Sequence, residues 1–312
     1  MVQTENQSFA CVAGLLVILI WGITFVNTRA LLGDFSALEI LVGRFALAWA
    51  ALWLVGPRRF VRKCRSDECL FAAMGFCGVF FYQFLENCAI YYTNASNVAI
   101  FVSFGPIVTA ALARMFRKNR PLSAALFIGS LIAIVGVALV SMNGVINLHL
   151  RPLGDMMALG AMVSWGFYSL LIDKANEKGY PPGFAIRKAF GWSLLMMLPL
   201  CAWGVTESGY CALDGSFSVT LNCAANADRF SNWLNWLNLG FLGLFASAGC
   251  FAMWNYACNA LGVVRATIGL YLTPIVGVIF AALFLGERLT PMSALGGLVI
   301  IIGIAIANWR KK

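Results

Sequence analysis

Ser103-Phe104-Gly105-Pro106-Ile107-Val108 and Tyr271-Leu272-Thr273-Pro274-Ile275-Val276 are one pattern written twice, 168 residues apart. Each puts a proline in the middle of a long apolar run. Outward from this pair, other fragments repeat. Ile20-Trp21-Gly22 returns as Ser164-Trp165-Gly166, and Arg44 returns as Arg187. Pro121-Leu122-Ser123 returns as Pro291-Met292-Ser293. Gly129 and Gly136 return as Gly296 and Gly303 with the same spacing of seven. The offset grows from 143–144 in the early pairs to 167–170 in the later ones, because residues 205–233 have no counterpart in the first half. A chain that repeats itself on this scale is two copies of one structural unit.

The repeated unit is apolar throughout. Hydrophobic residues make up 61% of the 312, charged residues 11%, and the mean hydropathy is +0.83. An ordinary soluble domain is nearer half apolar and a quarter charged. A soluble enzyme of this size could not hide the excess, and a disordered chain would not carry it. About 20 apolar residues make a membrane-crossing helix. Ten such runs can be read: 9–29, 36–56, 69–91, 95–116, 121–142, 154–174, 184–204, 234–258, 263–285 and 290–309. The fold class is therefore an all-α polytopic membrane protein of ten transmembrane helices. One five-helix repeat covers 1–145, and a second covers 150–312 with an extracytoplasmic loop at 205–233. The first run is not a cleaved leader, since Met1–Gln7 carries no basic residue and the apolar run is too long.

Basic residues set the orientation. With the N-terminus in the cytoplasm, Arg58, Arg59, Arg62, Lys63, Arg65, Arg114, Arg117, Lys118, Arg120, Lys174, Lys178, Arg265, Arg310, Lys311 and Lys312 fall inside. Only Arg29, Arg151, Arg229 and Arg288 fall outside. Fifteen against four places both termini in the cytoplasm of a multi-pass plasma-membrane (cell inner-membrane) protein. The net charge of +9 is then mostly a topology signal and not a nucleic-acid footprint.

Five spans per copy is an odd number, so the second copy enters the membrane upside down. Inverted repeats around a central site are the architecture of many secondary transporters. Two mirror-related states, each open to one side, follow from such a pair. A membrane-embedded enzyme is the rival reading from another class. It lacks a catalytic constellation, for the chain has a single histidine, His149, and no HExxH, Walker A or GxSxG motif. A non-transporting receptor or scaffold is the third reading.

Leu285-Gly286-Glu287-Arg288-Leu289-Thr290, followed by Gly296-Gly297 and Gly303, resembles the closing signature of the second repeat in the drug/metabolite transporter superfamily, EamA-domain family, ten-helix type. Ile20-Trp21-Gly22, and Leu153-Gly154-Asp155 with Trp165, resemble the openings of its two repeats. The first half departs at Arg114–Arg120, where a basic run replaces the acidic corner. The resemblance spans nearly the whole chain. It implies a secondary active transporter, more often an exporter, of small metabolites such as amino acids or amphipathic drugs, driven without ATP and without a cofactor.

Several residues are candidates for the transport pathway. Trp21 and Thr24 on span one, Trp165 and Tyr168 on span six, and Gln83, Glu86 and Asn87 on span three share helical faces. Trp254, Asn255 and Tyr271 supply the second half. Aromatic rings among a few amides and one acid suit a small amphipathic solute, such as an amino acid. Glu86 stands out, because its repeat mate is Trp254, so the fold does not require an acid there. It is the candidate for proton coupling or amine binding, with a fixed ion pair to Arg44 as the alternative. Pro106 and Pro274 each free a carbonyl four residues back, at Val102 and Leu270, and are hinge candidates. Arg44 and Arg187 occupy matching positions and suggest structural charges that bind helix-end carbonyls, with a substrate role for Arg44 as the alternative. The glycine pairs of spans five and ten fit close helix packing or a dimer contact.

Cys211 and Cys223 lie in the outer loop and could form a disulfide. Cys64 and Cys69 fall inside and stay reduced. No His/Cys pattern suggests a metal. The expected partners are a small-molecule substrate, the lipid bilayer and protons as a coupling ion, with a monomer or a homodimer as the assembly.

Overall fold

The computed structural model describes residues 2–31, 33–56, 66–93, 95–116, 123–143, 151–206, 227–285 and 289–309. Among them all regular structure is helical. Lipid offers no partner for backbone N–H and C=O groups, so only helices or closed barrels can cross it. The first half contains α1 (Val2–Leu31), α2 (Ala37–Val55), α3 (Ser66–Gly75), α4 (Phe81–Tyr92), α5 (Ala95–Val102), α6 (Gly105–Phe116) and α7 (Ala124–Met142). The second contains α8 (Pro152–Glu177), α9 (Pro182–Thr206), α10 (Trp233–Gly240), α11 (Cys250–Leu261), α12 (Val263–Ile268), α13 (Thr273–Leu285) and α14 (Pro291–Ala307).

These helices group into ten membrane-crossing units. Nine are long and apolar enough to span by length and composition, and α14 is a shorter apolar helix of 17 residues. The third unit joins α3 to α4 through a π-helical stretch, Phe76–Phe80, and the eighth joins α10 to α11 through another, Phe241–Gly249. The fourth unit is broken between α5 and α6. The ninth is broken by a 3-10 turn, Gly269–Leu272, between α12 and α13. Pro106 and Pro274 therefore do not kink continuous helices. Each sits at the second residue of a new half-helix, where its missing N–H costs nothing. Cys211, Cys223, His149, Glu287 and most of the basic loop residues lie outside the described residues.

The surface is apolar where lipid would touch it. Phe127, Ile128, Leu131 and Val135 are exposed on α7, and Leu295, Leu298, Ile301 and Ile302 on α14. The opposite faces of these two helices meet at the repeated glycines. A Cβ on Gly129 would strike the backbone of Gly303 and Ala307, and one on Gly136 would lie 2.7 Å from Gly296 O. As numbers rise along α7 they fall along α14, so the fifth helices of the two copies run antiparallel, as inversion demands. Asn143 closes α7 in the left-handed conformation (φ 40°). Its Oδ1 accepts from Thr290 Oγ1 (3.0 Å) and Ser293 Oγ (2.5 Å) at the start of α14.

The same inversion governs other contacts. Gly22 on α1 packs on Val276 of α13, and its mate Gly166 on α8 packs on Val108 of α6, the mate of Val276. Gly75 approaches Ala189 and Ser193 of α9, and its mate Gly243 approaches Leu47 and Arg44 O of α2. At one end of the bundle Asp67 accepts from Lys178 and from Tyr180 Oη (2.6 Å). At the other end the mates of Asp67 and Lys178 form the bond from Asn235 Nδ2 to Asp34 Oδ2 (2.7 Å). Arg229 reinforces that second end with two 3.0 Å bonds to Glu39, its guanidinium between the rings of Phe35 and Phe230.

The interior is aromatic. Trp21, Trp165, Phe251 and Trp254 contact one another with ring centroids 5.5–6.4 Å apart. Two bonds fix this layer. Trp21 Nε1 donates to Ala246 O (3.0 Å), and Ser164 Oγ donates to Cys77 O (2.7 Å). Both acceptors lie in the π-helical stretches, where the widened turn alters the regular backbone ladder.

Candidate functional site

A cavity of about 500 Å³ lies on one side of the aromatic layer. Trp21 and Trp165 form part of its wall. Thr24 and Thr28 continue along α1, and Ile40, Leu41 and Arg44 come from α2. Tyr82, Gln83, Glu86 and Asn87 come from α4. The broken fourth and ninth units contribute Ala99, Val102, Ser103, Gly105 and Pro106, and Leu270, Tyr271, Thr273 and Pro274. Met162 and Phe251 complete it. Five helices thus present side chains, and two helix breaks present short stretches of irregular backbone.

Of the residues singled out in the sequence, Trp21, Thr24, Gln83, Glu86, Asn87, Trp165, Tyr271, Pro106, Pro274 and Arg44 line this cavity. Tyr168, Trp254 and Asn255 do not. All three are at most 1% exposed; Trp254 belongs to the aromatic layer itself, and Tyr168 touches that layer through Trp165 and Phe251. Tyr82, Ser103, Thr273 and Phe251 were missed. Tyr82 carried a readable signal, since it stands one helical turn before Glu86.

The two charges of the cavity are held apart. Glu86 Oε1 accepts from Tyr82 Oη (2.9 Å). Arg44 is buried at 7% exposure, and its Nε donates to Ser247 Oγ (3.0 Å). Among the described residues the two form no ion pair. Among the described residues the terminal nitrogens of the Arg44 guanidinium have no acceptor and the second oxygen of Glu86 has no donor. The alternative of a fixed Arg44–Glu86 pair does not match this geometry. The amides of Gln83 and Asn87 also have no partner among the described residues, whereas Thr24 and Ser103 return their hydroxyls to carbonyls of their own helices, Trp21 O and Ile100 O (both 2.6 Å).

Arg187 behaves differently from its mate. It donates to Gly56 O, the carbonyl just past the end of α2, and lies 4.0 Å over the ring of Trp53. Its acceptor is thus a helix-end carbonyl, and it is not among the residues that line the cavity. Among the described residues no group of three or more His, Cys, Asp or Glu could hold a metal. Among the described residues Cys11, Cys69, Cys77, Cys88, Cys201, Cys250 and Cys258 form no disulfide.

Comparison with known proteins agrees with this picture. The model of the EamA-like transporter family matches residues 8–142 and again 152–309. A protein of Streptantibioticus cattleyicolor named a probable terminal-alkyne amino-acid exporter is 27% identical, the match covering 95% of this chain and 92% of that protein. A probable amino-acid metabolite efflux pump of Escherichia coli is 26% identical over 96% of each chain. An uncharacterized transporter of Bacillus subtilis is 25% identical over 93% of this chain and 87% of its own. A solved crystal structure, 17% identical, superposes with a TM-score of 0.71 over 96% of each chain and shares the fold.

Proposed function

The chain belongs to the EamA-like transporter family, a multi-pass membrane transporter and not an enzyme, and on that premise we propose that it exports amino-acid-like zwitterions by alternating access. The observation that carries this reading is the separated pair Arg44 and Glu86 on one cavity. An α-amino acid carries a carboxylate and an ammonium a few ångströms apart. A guanidinium with two free nitrogens suits the carboxylate, because it can bind both oxygens at once. A carboxylate with a free oxygen suits the ammonium. Gln83 and Asn87 add neutral donors and acceptors. The rings of Trp21, Trp165 and Phe251 give the side chain an apolar seat.

The volume fits a single small solute with some water. Two relatives whose names refer to amino-acid export support the substrate class and the direction. Pro106 and Pro274 would be hinges in this cycle, since each half-helix they open can tilt without breaking a hydrogen bond of its own. Glu86 would exchange the substrate ammonium for a proton, which makes protons the coupling ion. The protein would sit in the plasma membrane with both termini in the cytoplasm.

Counterflow in proteoliposomes tests the reading. Apolar and aromatic amino acids should drive exchange. Their N-acetyl and carboxamide derivatives, each lacking one charge, should compete at least tenfold more weakly. Equal competition by the derivatives would overturn zwitterion recognition.

A further inference from the structure

The inverted repeat lets the present cavity wall be mapped onto its mates. Trp21, Thr24 and Thr28 of α1 correspond to Trp165, Tyr168 and Ile172 of α8, 144 residues on. Gln83, Glu86 and Asn87 of α4 correspond to Phe251, Trp254 and Asn255 of α11, 168 residues on. The first set lines the cavity. Of the second set only Trp165 and Phe251 reach it. The rest line no part of the cavity and form a closed seam that begins in the aromatic layer at Trp254.

The seam is dry but not apolar. Tyr168, Ile172 and Asn255 are fully buried, and Trp254 is 1% exposed. Among the described residues, Tyr168 Oη, Trp254 Nε1, both ends of the Asn255 amide and both ends of the Asn176 amide have no hydrogen-bond partner. Asp173 and Cys258 lie within electrostatic reach of each other, and Cys258 is within reach of Tyr168. On α8, residues 165, 168, 172 and 176 recur at helical spacing on one face, and on α11 residues 251, 254, 255 and 258 do the same. Phe251 meets Trp165 and Tyr168 at 6.4 and 6.2 Å, which joins the two faces. From Trp165 to Asn176 the seam runs about 16 Å at 1.5 Å per residue. It runs toward the C-termini of both helices.

Buried polar groups are nearly always hydrogen-bonded, and leaving one unpaired is unfavourable. A row of them along a single seam asks for a reason that the closed state does not supply. We propose that the α8–α11 seam is the substrate passage of the opposite state. There Tyr168, Asn176 and Asn255 are hydrated, and Asn255 takes over the polar contact that Asn87 offers in the present state. The wall formed by Thr24, Thr28, Glu86 and Asn87 closes as the seam opens. The two walls are unequal. Where the present wall has the acid Glu86, the seam has Trp254, so the ammonium loses its counter-charge as the solute crosses the aromatic layer.

This inference rests on the alternating-access reading, but its test does not depend on the substrate. Full-length chain with the native cysteines replaced carries Ile172→Cys, Asn255→Cys or, as a reference, Thr24→Cys. Each is treated with a membrane-impermeant thiol reagent in right-side-out and in inverted vesicles. A chain retaining only native Cys258 provides a fourth probe that introduces no change in the seam. Ile172→Cys, Asn255→Cys and Cys258 should be labelled from one face, and Thr24→Cys at least tenfold faster from the other. Labelling of the seam from the same face as Thr24→Cys would overturn the proposal. So would seam thiols that stay unreacted from both faces over the time in which Thr24→Cys reacts fully, with all reacting once denatured. Failed amino-acid exchange with opposite-face labelling would sink the substrate reading and leave this one standing.

Discussion

Arg44 and Glu86 face one cavity from different helices, and each leans on a neutral partner, Ser247 or Tyr82, and not on the other. Charges inside a membrane protein are unfavourable unless matched. Two opposite charges kept from direct contact invite a ligand that carries both.

Glu86→Gln preserves the shape and the Tyr82 contact while removing the charge. A lost charge-assisted hydrogen bond is worth roughly 1.5–3 kcal/mol, so affinity for an amino acid should fall about 10- to 100-fold. If Glu86 also carries the proton, concentrative export driven by a pH gradient should vanish while exchange at high substrate persists. Unchanged affinity and unchanged accumulation would remove Glu86 from both roles.

Gly136 of α7 lies against the backbone of Gly296 and Ile300. Gly136→Leu forces α7 and α14 apart and should cost about 3 kcal/mol or more. The measurement is the thermal midpoint and monodisperse yield in detergent. Gly183→Ala serves as the contrast, because nothing stands within 4 Å of a Cβ there.

Arg187→Met keeps a long apolar stem but withdraws the bond to Gly56 O and the contact with Trp53. Stability should fall by about 2 kcal/mol. Substrate affinity should stay within twofold, since Arg187 does not reach the cavity. The same substitution at Arg44 should reverse the pattern, with affinity lost first.

Reporter fusions at Lys312 and near Ser216 should read opposite sides of the membrane, the first cytoplasmic, on the fifteen-to-four distribution of basic residues. Both on one side would contradict the orientation.

Cys211 and Cys223 should form a disulfide, which would close a loop of about a dozen residues and stabilise the folded chain by roughly 3 kcal/mol. Thiol labelling of intact cells should rise at both positions only after reduction.

The ten spans and the doubling were legible because hydropathy and repeated short words survive in a single sequence. The cavity was legible in part. Side chains such as Trp21, Gln83 and Asn87 were found from their shared helix faces. Tyr168 was assigned to the same wall from the helical face it shares with Trp165, and Trp254 and Asn255 as the second half's share, but the structure holds one asymmetric state, in which their mates line the cavity and they do not. Arg44 and Arg187 looked equivalent for the same reason. Their partners are not: Ser247 binds Arg44, while the mate of Ser247 is Val79, which offers Arg187 no side-chain acceptor. The π-helical stretches left no local signal, since neither proline nor an unusual polar residue marks them. The repeated pair Gly75, next to the first stretch, and Gly243, within the second, was the one available hint.

Those two wide turns also bear on how the chain matures. Cys77 O in the first half is bound by Ser164 of the second, and Ala246 O in the second half is bound by Trp21 of the first. Each copy therefore grips the leading helix of the other. The amino-terminal five helices emerge from the ribosome with both attachment points still unmade: Cys77 O is met when α8 enters the bilayer, and Trp21 only when the span that carries Ala246 follows. A gene cut between residues 143 and 151 should yield two fragments that are short-lived alone and stable when synthesised together.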